Sequence, residues 1–307
     1  MPHAVATIRA DGGGPAAGRS VFVTAQDGLR LHARAYGARA SSALPIVCLP
    51  GLARTAADFA DLALVLLSDR ERLVLALDYR GRGKSQYDRS PANYNLQVEL
   101  ADLLAVLTAL GIERAAFIGT SRGGILTMLL AVARPTAIVG CVLNDIGPVI
   151  ESGGLMRIKS YVGKLPQPAS FRDAADILQR RFGSHFPKWS DADWLGFAGR
   201  TFKEADGRVV VDYDARLATT LAGLTPDRPL PPLWKEFDAL AGLPVMVVRG
   251  SNSDILSQAT VAAMRERRSS LDVLEVADEG HAPRLTEPEI ASRIAEFIAS
   301  CERAARH

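Results

Sequence analysis

The stretch Gly119-Thr120-Ser121-Arg122-Gly123-Gly124 constrains this chain more than any other. Four apolar residues, Ala115-Ala116-Phe117-Ile118, lead into it and have the length of a buried strand. Residues 125–134, rich in Leu, Met and Ala and closed by Pro135, read as a helix. A serine therefore sits on a strand-to-helix turn, with glycine two positions before it and two after. That is the context of the G-x-S-x-G nucleophile elbow. The turn is so tight that side chains at Gly119 and Gly123 would meet neighbouring backbone, and the serine itself is strained. Its hydroxyl is pushed out at the carboxyl edge of a sheet. There the start of the following helix favours developing negative charge.

The rest of the chain supplies a frame for that turn. Residues 20–25 and 29–37 are β-rich runs joined by Gln26-Asp27-Gly28, a hairpin signal. Short buried runs follow at 45–49 and 72–77, then 115–118, 137–143, 244–250 and 271–277, with helical patterns between most of them. Leu96, Leu100, Leu103, Leu104, Leu107 and Leu110 mark one face of a helix over 93–110 that Gly111 stops. This alternation predicts an α/β fold: a mostly parallel sheet of eight strands, covered by helices on both faces, with the antiparallel hairpin at one edge. Ligands of such sheets bind beyond the carboxyl ends of the strands.

Between the strands ending near 143 and beginning at 244 the texture changes. Residues 148–236 hold all three tryptophans and eight of the 17 prolines, with helical patterns at 171–182, 191–202 and 214–221. The expected organisation is a core formed by 20–148 and 237–307, a helical cap over 149–236, and a flexible tail over 1–19. The balance of 36 Lys and Arg against 34 Asp and Glu gives no sign of nucleic acid as a partner. Three widely spaced cysteines point away from a disulfide framework. No apolar run approaches the roughly 20 residues of a membrane span, and 1–20 lacks the apolar core of a signal peptide. A cytoplasmic protein without membrane partners is the expectation.

A serine is a weak nucleophile and needs a base and an orienting acid. Of five histidines, His3 and His307 lie in the tails, His32 in the first hairpin and His185 in the inserted segment. His281, in Glu279-Gly280-His281-Ala282-Pro283, follows the last strand and can reach Ser121 across the top of the sheet. Two carboxylates compete for the third place. Asp254 lies in the exit loop of the strand at 244–250. Asp145 lies at the exit of the strand after the elbow, before Ile-Gly-Pro, where a loop carboxylate commonly caps backbone N–H groups. Asp254 is preferred, with Asp145 as its rival; the order Ser121, Asp254, His281 fits the arrangement. The Gly-Lys-Ser85 of the loop from Asp78 is no phosphate loop, because the glycine required five residues before Gly83 is Asp78.

Leu-Pro-Gly-Leu52, Asp78-Tyr-Arg-Gly-Arg-Gly-Lys-Ser85, the elbow, Arg-Gly-Ser-Asn-Ser-Asp254 and Gly-His281 together resemble the α/β-hydrolase superfamily, in particular its capped serine hydrolases. The likeness spans roughly 21–299. It implies an oxyanion hole from the backbone N–H groups of Leu52 and Arg122, with Pro50 and Arg122 departing from the usual residues there. The Arg122 side chain is expected either on a strand-edge carboxylate, Asp145 being the nearest candidate, or in solvent. Trp189, Trp194 and Phe186 are candidates for the pocket wall as well as for the core of the cap. The implied activity is cofactor-free, metal-free hydrolysis of a small carboxylic ester or lactone. Cleavage of a carbon–carbon bond in a dienone-type acid, or a receptor with negligible turnover, are the alternatives. Dehalogenase and epoxide hydrolase chemistry is disfavoured, because those relatives use an aspartate where this chain has Ser121. Residues 151–201 carry eight Lys or Arg against five acids, which also raises a carboxylate-bearing substrate.

Overall fold

Continuous apolar runs need cover on both faces, and here they find it in one sheet between two helical layers. The computed structural model describes residues 6–9, 18–39, 41–68 and 70–305. His3, His307 and most of the tail expected over 1–19 lie outside them. The elements run β1 (Ala6–Arg9), β2 (Arg19–Thr24), β3 (Arg30–Tyr36), β4 (Ile46–Leu49), α1 (Ala60–Ser68), β5 (Val74–Asp78), α2 (Leu96–Ala109), β6 (Ala115–Thr120), α3 (Arg122–Ala133) and β7 (Ile138–Asn144). They continue as α4 (Ser152–Tyr161), α5 (Phe171–Phe182), α6 (Asp191–Thr201), β8 (Phe202–Ala205), β9 (Arg208–Val211), α7 (Trp234–Asp238), β10 (Val245–Gly250), α8 (Gln258–Arg267), β11 (Asp272–Val276) and α9 (Pro288–Ala304).

The sheet order is β1-β2-β3-β5-β4-β6-β7-β10-β11. From β5 to β11 neighbouring strands are parallel, and β2 and β3 add the antiparallel hairpin. These eight strands are the expected ones. A ninth, β1, pairs antiparallel with β2, Ala6 opposite Val23, so part of the expected tail is an edge strand that covers open backbone groups of β2.

Side chains alternate between the faces. Val47 and Leu49 of β4 join a core with Leu103 and Leu107 of α2 and Leu126 and Leu130 of α3. Ile46 and Cys48 join a second core with Leu62 and Leu66 of α1 and Ile294 and Ile298 of α9. Each such leucine or isoleucine contributes about 1.5–3 kcal/mol on burial. Helix α2 starts where Asn95 accepts from the Val98 N–H at 3.0 Å.

The chain passes from β4 to β5 on one side, then returns past β4 to β6 on the other. The order thus reverses between β4 and β6, whose ends are in register, Leu49 opposite Gly119. Open parallel sheets bind ligands at such a switch point. Both the elbow after β6 and the Pro50-Gly51-Leu52 turn after β4 emerge there.

The inserted segment is not purely helical. It carries the hairpin β8–β9, turned by Asp206 and Gly207 at φ 50° and 70°, the left-handed pair that a tight hairpin requires. The segment packs a cluster of its own around Leu178, Phe182, Phe186, Trp189, Trp194 and Phe202. Main-chain hydrogen bonds tie it to the sheet edge: Glu151 N to Ile255 O, Gly83 N to Asp212 O, Asp214 N to Gly81 O and Leu233 N to Pro148 O, all 2.7–3.0 Å.

Candidate active site

Ser121 stands between β6 and α3 with φ 51° and ψ −112°, a conformation that costs an L-residue about 1–3 kcal/mol. Its surroundings enforce it. A Cβ on Gly119 would come within 2.5 Å of the Gly123 carbonyl, and one on Gly123 within 2.0 Å of Leu49 O. The elbow closes on itself and on β4, and only hydrogen fits at either position. The Ser121 N–H donates to Asn144 O at 3.0 Å, which ties the turn to β7.

His281 lies 2.8 Å from Ser121 Oγ through Nε2. Its Nδ1 lies 2.7 Å from Asp145 Oδ2. A carboxylate partner places the ring proton on Nδ1 and leaves Nε2 to accept from the serine hydroxyl. Asp145 is fully buried, and it also accepts from the Gly250 N–H at 2.9 Å and the Ser253 hydroxyl at 2.6 Å.

The sequence favours Asp254 as the third residue; the geometry puts Asp145 there instead. Arg157 of α4 holds the Asp254 carboxylate in a two-pronged pair at 2.6 and 2.7 Å. Burial raises the pKa of Asp254, but the hydrogen bonds and charge of Arg157 outweigh it and hold the group below the usual carboxylate range. The reason lies in strand order. Asp145 leaves β7, next to the elbow strand β6, whereas Asp254 leaves β10, one strand further away. Ser253, one residue before Asp254, is what reaches the Asp145 carboxylate.

Ser121 and His281 open into a cavity of about 160 Å³, with a mainly apolar wall. Leu52, Phe186 and Trp189 line it, as do Phe182, Phe197 and Tyr213. Trp194 does not. It is 2% exposed, its ring 4.7 Å from that of Trp189, and it belongs to the core of the inserted segment. Sequence reasoning missed Arg54, Phe197 and Arg200 in this wall. Among the described residues, no cluster of three or more His, Cys, Asp or Glu is arranged to hold a metal, and no helix is long and apolar enough to cross a membrane.

The sequence model of the alpha/beta hydrolase family matches residues 46–293. The chain belongs to this family. It is 32% identical over 270 residues to a 3-hydroxybutyrate-oligomer hydrolase of Cupriavidus necator, covering 84% of this chain and 90% of the relative. It is 27% identical to a 2-(acetamidomethylene)succinate hydrolase of Mesorhizobium japonicum, covering 76% and 81%. An alpha/beta hydrolase crystal structure from Novosphingobium aromaticivorans superposes with a TM-score of 0.84 at 40% identity, covering 97% and 99%.

In this alpha/beta hydrolase the two segments expected to carry the oxyanion donors are joined by buried charge. The Arg122 side chain does not go to Asp145 or to solvent: its Nε meets Glu99 Oε2 at 2.5 Å. Glu99 Oε1 lies 2.8 Å from Arg82 Nη1, with both side chains fully buried. Arg82 Nε donates to Leu52 O at 2.8 Å. One carboxylate between two guanidinium groups thus links residue 122 to residue 52. Burial pushes the Glu99 pKa up, yet Arg82 and Arg122 outweigh it and keep the group ionised. The loop from Asp78 is held by charge as well, though mostly by partners elsewhere in the chain. Asp78 pairs with His32 at 2.7 Å, and Arg80 pairs with Asp27, Asp88 and Asp102.

Proposed function

We propose that this hydrolase cleaves a carboxylic ester or lactone of a small molecule through an acyl-enzyme, with Ser121, His281 and Asp145 as its triad. The observation that carries the reading is the unbroken relay from Ser121 Oγ through His281 to Asp145, 2.8 and 2.7 Å, at the floor of an apolar cavity. Ser121 Oγ attacks the ester carbonyl as His281 Nε2 takes its proton. Asp145 holds the imidazole in the tautomer that can accept and offsets the charge it gains. The N–H groups of Leu52 and Arg122 receive the oxyanion. The first helical residue, Arg122, has no partner for its N–H within its own helix, which suits it to this task. His281 returns the proton to the leaving alcohol, and water repeats the sequence on the acyl-enzyme.

The kinship with an oligomer hydrolase whose named substrate is a hydroxy-acid oligomer supports the ester reading over carbon–carbon cleavage. Residues 149–236 serve as the lid: they supply most of the aromatic wall and shield the oxyanion contacts from water. The test is covalent labelling with a fluorophosphonate together with turnover of a panel of esters, lactones and dienones. Labelling at Ser121 and ester or lactone turnover, both abolished by Ser121→Ala, are expected. Labelling that survives Ser121→Ala removes the assignment, and turnover confined to dienones replaces it with carbon–carbon hydrolysis.

A further inference from the structure

Four formally charged side chains, beside His281, line the Ser121 cavity: Arg54, Asp58, Arg200 and Arg284. Two of the three cations hold acids at hydrogen-bond distance, although the Nε of Arg284 has no partner of its own. Arg54 grips Asp58 through Nε at 2.7 Å and through Nη2, donates to Thr201 Oγ1, and lies 4.4 Å over the Phe197 ring. Arg284 pairs with Asp193 and with Glu287 at 2.7 Å, and rests 4.5 Å over the Trp189 ring. Arg200, at the last turn of α6, differs. Its nearest acid oxygen is Asp58 Oδ1 at 3.9 Å, beyond hydrogen-bond reach, and Arg54 already holds that oxygen. The Arg200 side chain is 26% exposed, and its flank is the cavity.

A guanidinium offers five N–H donors in a planar fork, and its charge persists under any ordinary condition. Burying such a group without partners is costly, and burial here pulls the Arg200 pKa below its ordinary value. The charges of Asp58 and Asp61 offset this only in part, and no hydrogen bond from the described residues does, so a ligand acceptor entering the cavity gains by supplying one. The acceptor that matches the fork is a carboxylate, which takes two parallel N–H bonds. Asp58 gives its hydrogen bonds to Arg54 and acts on Arg200 only through its charge.

We propose that Arg200 is the counter-ion for a free carboxylate on the substrate, so that the ester cleaved at Ser121 belongs to a hydroxy acid or a dicarboxylic acid. This rests on the hydrolase reading for the position of the scissile bond. The subsite itself stands on a guanidinium in the cavity wall that no acceptor among the described residues reaches at hydrogen-bond distance.

The test compares nitrophenyl hydrogen glutarate with nitrophenyl valerate. Their acyl chains have equal carbon counts, and one ends in a carboxylate where the other ends in a methyl. The native enzyme is expected to favour the glutarate ester in kcat/KM. Arg200→Gln should shrink that preference about ten- to a hundred-fold, the scale of a lost charge-assisted pair, and Arg200→Lys should restore part of it. An unchanged ratio in Arg200→Gln overturns the proposal. Calorimetric binding of glutarate to the Ser121→Ala protein, with and without Arg200→Gln, reads the subsite without turnover. If no ester is cleaved but glutarate binding still depends on Arg200, the ester reading fails and the subsite stands. If esters are cleaved and glutarate binds equally with and without Arg200, the subsite fails and the hydrolase stands.

Discussion

The cavity at Ser121 has two walls of different make. On the sheet side, every group near the bond-breaking position is held from several directions. Ser121 is forced by a turn in which a Cβ at Gly119 or Gly123 would come within 2.5 Å of backbone atoms, and Asp145 accepts from a histidine, a main-chain N–H and a hydroxyl. Behind them Glu99 binds two arginines out of water. On the side of the inserted segment, aromatic rings pack mainly on one another, and Arg200 hydrogen-bonds to nothing among the described residues. Backbone geometry and buried charge fix the first wall, so its positions tolerate little change. The cavity face of the second is made mainly of packed side chains, so it can change what is recognised with less disturbance to the Ser121 relay.

The sharpest test of that contrast lies in the first wall. Asp145→Asn is expected to lower kcat about ten-thousand-fold with the fold intact, as loss of the orienting carboxylate does in a triad. Stopped assays of ester turnover beside circular dichroism measure both. A loss smaller than tenfold would remove Asp145 from the relay. Next in size is Glu99→Ala, which leaves Arg82 and Arg122 buried without a counter-charge. It should cost about 3–5 kcal/mol in urea unfolding. If the network also sets the distance between Leu52 and Arg122, kcat falls while KM holds, and Glu99→Gln recovers part of the rate. Lost stability with normal kcat would reduce the network to scaffolding.

The two walls also differed in how far the sequence revealed them. The elbow was legible because its constraint is local: glycine, serine and glycine within five residues. His281 followed by elimination among few histidines. Choosing between Asp145 and Asp254 was not a local problem, since each follows a buried strand. What separates them is that β7 is hydrogen-bonded to the elbow strand and β10 is not, and pairing order is a property of the assembled sheet. Two further signals stand in the sequence. Glu99 shares a helix face with Leu103 and Val106, and a carboxylate on an apolar face demands cations. Asp206-Gly207 between short β-prone runs marks the hairpin that interrupts the helices of the inserted segment. The position of Arg200 in the cavity had no local signature, because it depends on how α6 docks over the sheet.

For the second wall, Trp194→Ala should destabilise the inserted segment by about 3 kcal/mol or more, the usual cost of removing a buried aromatic. It should leave the ratio of kcat/KM for short and long acyl esters where it was, since Trp194 does not face the cavity. Thermal unfolding and the two-ester ratio, taken on one preparation, check this. A shifted ratio with an unchanged Tm would put Trp194 in the pocket after all.

The smallest effect is expected where the walls meet. Asp254 leaves a core strand, and Arg157 belongs to the first helix of the inserted segment, so their pair clamps one to the other. The pair is half-buried, and its removal should cost about 1 kcal/mol, the upper end for exposed pairs. The sign of its pH dependence follows from the depressed pKa of Asp254. A group whose folded pKa lies below its unfolded value stabilises above the unfolded value, about 3.9 for aspartate, and loses that contribution as pH falls through the folded value. Asp254→Asn should therefore be less stable than the native protein near neutral pH, and the gap should close in acid below about pH 4. Its kcat should stay within about threefold, against the collapse expected for Asp145→Asn. Urea midpoints across that pH range, with ester turnover at neutrality, provide the comparison. A kcat loss like that of Asp145→Asn would make Asp254 part of the chemistry and erase the boundary drawn here between the wall that reacts and the wall that recognises.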